Sequence, residues 1–177
     1  MSKKDPASGK KSLLLSNGGY YRNYISDISV CGYEKILVLG YEAEKLVRYL
    51  HKKCLSGKIT VSGLSEEVSK AVAKKYVLKN RIEVTRQSLT DMVKDSRTFD
   101  IIIMHLYHND PDVEPDLRNL KQILGHTGTI FMREKSLNFD SEDMVNALDS
   151  TALSLLKQNE TTTNIFGNVY DLKIRHK

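Results

Sequence analysis

The sequence predicts an α/β fold: a three-layer sandwich whose mostly parallel seven-stranded sheet ends in a C-terminal antiparallel hairpin. Short continuous apolar runs, such as Ile36 to Leu39 and "FDIIIM" from Phe99 to Met104, alternate with segments of helical spacing, as parallel strands covered on both faces do. The last two strand-like stretches have no helix between them, so they must pair antiparallel. A chain of 177 residues with 40% hydrophobic content is long enough to bury one full core.

Taken in order, residues 1–19 read as a flexible basic tail and residues 20–177 as a single domain. In "YYRNYISDI", Tyr21, Tyr24, Ile25 and Ile28 fall at helical spacing, so a short helix lies on the domain, its tyrosines serving core or edge packing or, as the alternative use, a stacking platform for bases. "KILVLGYEAEKLVRYL" is a buried strand running through one glycine into a helix with Leu46, Val47, Leu50 and Cys54 on one face. Lys58 to Ser62 is the second strand. Its helix starts at the N-cap Ser65, carries Glu66 and Glu67 in the first turn, and buries Val68, Ala71, Val72 and Tyr76. Ile82 to Thr85 is the third strand, Leu89 to Val93 a short helix, and Phe99 to Met104 the fourth strand. A helix from near Pro115, with Leu117, Leu120, Ile123 and Leu124, stops at Gly125, and Gly128 to Met132 is the fifth strand. A helix from Ser141 to Leu148 leads to the hairpin, with strands Ala152 to Lys157 and Asn168 to Ile174 joined through "NETTTNIFGN".

The net charge of +5 sits at the chain ends. Lys3, Lys4, Lys10 and Lys11 against Asp5 leave +3 in residues 1–11, and Lys173, Arg175 and Lys177 against Asp171 leave +2 in residues 171–177, so the rest sums to zero. The basic termini suit weak RNA contact through phosphate attraction, and equally an ordinary solvated end. No apolar run reaches the roughly 20 residues of a membrane span, and the N-terminus lacks a secretory stretch, so a soluble cytoplasmic protein is expected. Cys31 and Cys54 read as free thiols.

From about Tyr33 onward the layout resembles the class I S-adenosylmethionine-dependent methyltransferase family, a Rossmann-like fold. "FDIIIMHLYHND" is similar to its fourth strand with an entering aspartate, Asp100. "LRNLKQILGHTGTIFMRE" is similar to its helix, turn and fifth strand, with Leu124, Gly125 and Gly128 matching. The resemblance implies a first strand that carries an acid and enters a glycine-rich turn, where backbone approaches the cofactor without side-chain collision. Here Val38 stands at the acid, Gly40 at the first glycine, and Glu42 and Glu44 at later ones. A charge repulsion of roughly 4 kcal/mol is expected where a carboxylate lies about 4 Å from a cofactor carboxylate at an effective dielectric of 20. Gly63 stands where the resemblance implies a ribose-binding acid, and Ser88 where it implies an adenine-binding acid.

"HLYHNDPDVEPD" supplies the other candidates, His105, His108 and Asp110, on the loop that the resemblance implies faces substrate. Imidazole there can act as a base, and nitrogen and oxygen donors can hold a divalent metal, yet the spacing matches no metal signature and acids before a helix also serve its positive end. No metal is expected. Neither a phosphate-binding "GxxxxGK[ST]" nor a three-glycine dinucleotide turn nor a hydrolase elbow occurs.

Two functional readings follow. In the favoured one the domain is a pseudoenzyme: it keeps the scaffold, has lost ordinary S-adenosylmethionine binding, needs no cofactor, and serves a protein partner as a non-catalytic binding or structural subunit. In the alternative it is a divergent methyltransferase, with S-adenosylmethionine held by Gly40, Tyr41, Gly63 and Ser88 and with its acceptor near His105, His108 and Asp110. Its catalytic residues are unassigned.

Overall fold

The computed structural model describes residues 19–76, 79–106, 113–135, 140–163 and 167–177. Helix α1 (19–26) precedes strand β1 (Lys35–Gly40), and the chain then alternates through α2 (Ala43–Lys53), β2 (Lys58–Val61), α3 (Glu66–Lys75), β3 (Ile82–Val84), α4 (Leu89–Lys94), β4 (Phe99–His105), α5 (Glu114–Ile123), β5 (Leu124–Lys135) and α6 (Ser141–Ser150) to the hairpin β6 (Leu153–Thr163) and β7 (Gly167–His176). One seven-stranded sheet has the order β3-β2-β1-β4-β5-β7-β6. The first five strands run parallel, and β7 enters antiparallel to both β5 and β6.

The apolar runs are continuous because both sheet faces are covered. Ile36, Val38, Ile101 and Ile103 join the core beneath α1, α2 and α3, while Leu37, Leu39, Ile102 and Met104 join the core beneath α4, α5 and α6. Successive strand residues point to opposite faces, so an apolar residue at every position feeds two cores at once. The tyrosine helix packs as its spacing predicts: Tyr21, Tyr24, Ile25 and Ile28 are all buried.

Several boundaries differ from the sequence reading. α1 begins at residue 19, just inside the span read as tail. In α3 the buried face is Ser69, Val72 and the capping Tyr76, whereas Ala71 is exposed. The phase turns by half a step because the Ser69 hydroxyl finds the Leu64 carbonyl at 3.5 Å, which lets a polar group face inward. α5 does not stop on a left-handed glycine at Gly125: Leu124 is already extended and opens β5. The hairpin is longer than read, because "NETTT" is strand and not connection, with Thr161, Thr162 and Thr163 paired to Val169, Asn168 and Gly167. Threonine suits an exposed strand even where no apolar alternation marks it.

Candidate functional site

Strand order alone locates the ligand crevice of an open α/β sheet, at the carboxyl ends of the two strands where the winding reverses. Here those strands are β1 and β4. Gly40 and His105 end the β1–β4 register, and the Tyr41 N–H donates to the His105 carbonyl at 2.7 Å, carrying the pairing one residue further. Gly40 has φ +96°, and a Cβ on it would stand 2.2 Å from the His105 carbonyl oxygen. Glycine at the end of β1 is therefore required by close backbone approach within the chain itself.

The crevice above this junction is filled by side chains. His105 is fully buried, with Nδ1 2.6 Å from the Tyr41 carbonyl and Nε2 2.8 Å from the Tyr20 hydroxyl. A carbonyl only accepts, so Nδ1 carries the proton and Nε2 accepts from Tyr20. Burial pushes the imidazole down to about 4, opposed by the Tyr41 bond and reinforced by the nearby charges of Arg133 and Lys45. A neutral ring at physiological pH follows. Tyr20 and Tyr21 meet edge to face with centroids 5.0 Å apart, and all three α1 tyrosines lie within 5.8 Å of the His105 ring centre.

Arg133, on β5, closes the far side. Its guanidinium forms a bidentate pair with Asp171 of β7, one N–O distance being 2.6 Å, and lies 4.2 Å from the Tyr24 ring centre and 4.8 Å from that of Tyr20. The Arg133 side chain is 5% exposed, so the Asp171 carboxylate and the two aromatic faces stand in for lost water. The Tyr24 hydroxyl lies 3.2 Å from the Met104 carbonyl and 3.3 Å from that of Phe131, tying α1 to β4 and β5. Burial raises the pKa of both Tyr20 and Tyr24, so both stay protonated donors.

The structure thus brings together Gly40, Tyr41 and His105. Gly63 follows β2 with φ +79°, and a Cβ there would meet nothing within 4 Å, so the space beside that position is open. Ser88 is spent on a capping box: its hydroxyl accepts from the Asp91 N–H at 3.1 Å, while the Asp91 carboxylate takes the Ser88 N–H. Glu42 is ion-paired with Lys45 across the first turn of α2, which softens the repulsion expected from its bare charge. His108 and Asp110 lie outside the described residues. The sequence reading missed Arg133, Asp171 and Lys45 as site residues; an arginine inside the apolar "TIFMRE" strand was the available signal for the first.

Three further features belong to the crevice, although positive φ at non-glycine residues occurs also at Ser96 and Ala152. The buried Tyr21 hydroxyl has no hydrogen-bond partner among the described residues. Glu42 and Leu106, on either side of the β1–β4 junction, both have positive φ, at 55° and 47°. Strain of this kind costs about 1–3 kcal/mol per residue and collects at functional sites. His105 and the α1 tyrosines hold the space at the strand ends. Among the described residues no group of three or more metal-ligand side chains gathers, both cysteines are free, and no helix is long and apolar enough to cross a membrane.

The chain has a class I methyltransferase-like fold. It superposes on StiE O-MT with a TM-score of 0.74 at 12% identity, covering 96% of this chain and 77% of that one. It also superposes on an S-adenosylmethionine-dependent methyltransferase from Clostridium acetobutylicum with a TM-score of 0.67 at 12% identity, covering 91% and 90%. No protein-family model matches the chain, and no curated protein matches it at a significant level.

Proposed function

We propose that this methyltransferase-like domain is a pseudoenzyme that has lost ordinary S-adenosylmethionine binding and works in the cytoplasm as a non-catalytic binding or structural subunit for a protein partner. The observation that carries this reading is the filled crevice: the Tyr20–His105–Tyr41 chain of hydrogen bonds occupies the carboxyl ends of β1 and β4. The missing acids at Val38 and Gly63 support it independently, since each hydrogen bond to a charged group is worth about 1.5–3 kcal/mol. Titration of the full chain with S-adenosylmethionine and its demethylated product, by calorimetry, tests it. The expected result is no saturable binding up to roughly millimolar, which is weaker than about 4 kcal/mol. Micromolar binding with amide shifts centred on Gly40 and Gly63 overturns it.

The orphaned Tyr21 hydroxyl and the strained Glu42 and Leu106 favour a second reading, a divergent methyltransferase in which α1 lifts to admit the cofactor. Gly40, Tyr41, Gly63 and Ser88 would then hold S-adenosylmethionine, with the acceptor near His105, His108 and Asp110. Tyr20→Ala with Tyr21→Ala separates the two: gain of saturable cofactor binding by this variant supports α1 as a gate, and its failure to bind supports the pseudoenzyme.

A further inference from the structure

We propose that the sheet face beside α1, over β5, β7 and β6, binds the phosphate backbone of single-stranded RNA. The opposite face of these strands is core: Ile130, Met132, Leu172 and Ile174 pack with the residues of α5 and α6. On the near face α1 reaches β5 through Tyr24, and a groove lies between the end of α1 and the hairpin. Asp27, Ile28, Phe131, Lys157, Asn159 and Lys173 line it.

The charges on this face are arranged against the stability of the isolated chain. Lys157 of β6 and Lys173 of β7 are directly opposite in the antiparallel register, so both project from the same face. Like charges so placed are destabilising, and a strand pair that carries them gains when an anion bridges them. Lys173 stands over the Phe131 ring, 5.6 Å from its centre, which holds the ammonium up at the mouth of the groove. Arg175 is exposed two residues further along β7, on the same side, about 6.6 Å on. That interval is close to the repeat of an extended nucleic-acid strand.

Acids do not cancel this row. The Asp171 carboxylate is engaged by Arg133, and Glu160 sits opposite Tyr170 on the other side of β6. Asp27 is the remaining carboxylate among the described residues lining the groove. The aromatic rings beneath are Tyr24 and Phe131, at 4% and 9% exposure, too deep to stack on bases or to anchor a peptide side chain. Leu156, 42% exposed beside Lys157 at the β6 bulge, is a single apolar side chain among these cations, and a row of cations suits a partner recognised mainly by charge, which is the sequence-independent mode of nucleic-acid binding. The two C-terminal cations that the sequence placed in a basic terminus, Lys173 and Arg175, therefore stand in a folded surface, while Lys177 pairs with Asp149 at 2.7 Å.

Fluorescence anisotropy with a labelled 20-residue oligouridylate and the full chain, between 50 and 200 mM salt, tests the surface. Two triple variants of equal charge change are compared: K157Q/K173Q/R175Q on the face, and K35Q/K74Q/K79Q elsewhere. The face variant should lose at least about tenfold in affinity at 50 mM salt, and its salt slope should flatten by about 2, from about 0.7 per single-strand phosphate contact. The control should keep the wild-type slope. Equal losses in the two variants, an unchanged face variant, or no binding by the wild type at 50 mM salt each overturns the proposal. So does tighter binding of an oligoglutamate than of the oligouridylate, which would point to an acidic protein. No arm of the experiment uses S-adenosylmethionine, so its outcome is separate from that of the crevice.

Discussion

Replacing Gly40 by alanine tests whether the β1–β4 junction is closed by the chain's own backbone. The backbone there has φ +96°, and the added Cβ would meet the His105 carbonyl oxygen at 2.2 Å and its carbon at 3.0 Å. A strained φ costs about 1–3 kcal/mol, and overpacking against a fixed neighbour about 1–3 more, for a total of about 2–6. The neighbour is fixed because the same carbonyl accepts from Tyr41 and the His105 ring is held at both nitrogens. Gly63→Ala is the matched control, since Gly63 also has positive φ, at +79°, but its Cβ would meet nothing within 4 Å. The control should cost only the conformational strain, about 1–2 kcal/mol. Urea unfolding of both variants, followed by circular dichroism, isolates the contact as their difference. Against a total stability of about 5–15 kcal/mol, Gly40→Ala should be visibly less stable or unfolded. Equal stability of the two would mean that the strand end yields, and a yielding junction removes the ground for a closed crevice.

Further outcomes follow from the same geometry. The His105 imidazole has a folded value of about 4 against an ordinary 6.5, so between those values the unfolded chain binds a proton that the folded chain refuses. Its contribution is whole above pH 6.5 and is lost as pH falls to 4, by at most about 3 kcal/mol over the 2.5-unit gap; stabilities from urea melts across this window should show the slope in wild type and lose it in His105→Gln, and an identical slope in both refutes the assignment. Asp171→Asn leaves the Arg133 charge buried without its carboxylate and should cost about 3 kcal/mol in thermal unfolding, with partial recovery when Arg133→Met is added; no coupling between the two changes would show that the pair is incidental. Ile102→Asp, at a fully buried position paired with Leu37 and Ile130, should abolish cooperative unfolding, and a wild-type-like transition would contradict its central place.

How much of this was legible depended on whether the information was local. The strands β1 and β4 announced themselves because each residue serves one of two cores, and α2 announced itself through Leu46, Val47 and Leu50 on one face. The hairpin length was hidden because exposed strand residues such as Thr161 carry no apolar alternation. At the site, Gly40, Tyr41 and His105 were legible as candidates, since they stand where strands end in sequence, although His105 closes β4 and does not lie on the loop beyond it. Their mutual arrangement was not. Tyr20 meets His105 across 85 positions, and Arg133 meets Asp171 across 38, distances over which no periodicity speaks. Tyr20, Tyr21 and Tyr24 were legible as packing residues, and packing is part of what they do. What no local pattern could give is that the tyrosines pack on a charged arginine and a neutral histidine at the one place where strand order opens the sheet.

That coincidence has a physical logic. A crevice at the winding reversal exposes the last carbonyls of two parallel strands to a partly apolar environment, and a buried carbonyl without a donor is costly. A bound ligand is one way to satisfy them; donors carried by the chain are another. Here the Tyr24 hydroxyl serves the carbonyls of Met104 and Phe131, the Tyr41 N–H serves that of His105, and the His105 ring serves that of Tyr41. Each of these donors belongs to α1 or to the ends of β1 and β4. Moving α1 would therefore take the Tyr24 hydroxyl from the carbonyls of Met104 and Phe131, and two aromatic faces from the buried Arg133, at once. The tyrosine helix and the crevice form one energetic unit, so any ligand that enters must replace what Tyr20 and Tyr24 supply: a donor for His105, a hydroxyl shared by the carbonyls of Met104 and Phe131, and two faces for one guanidinium.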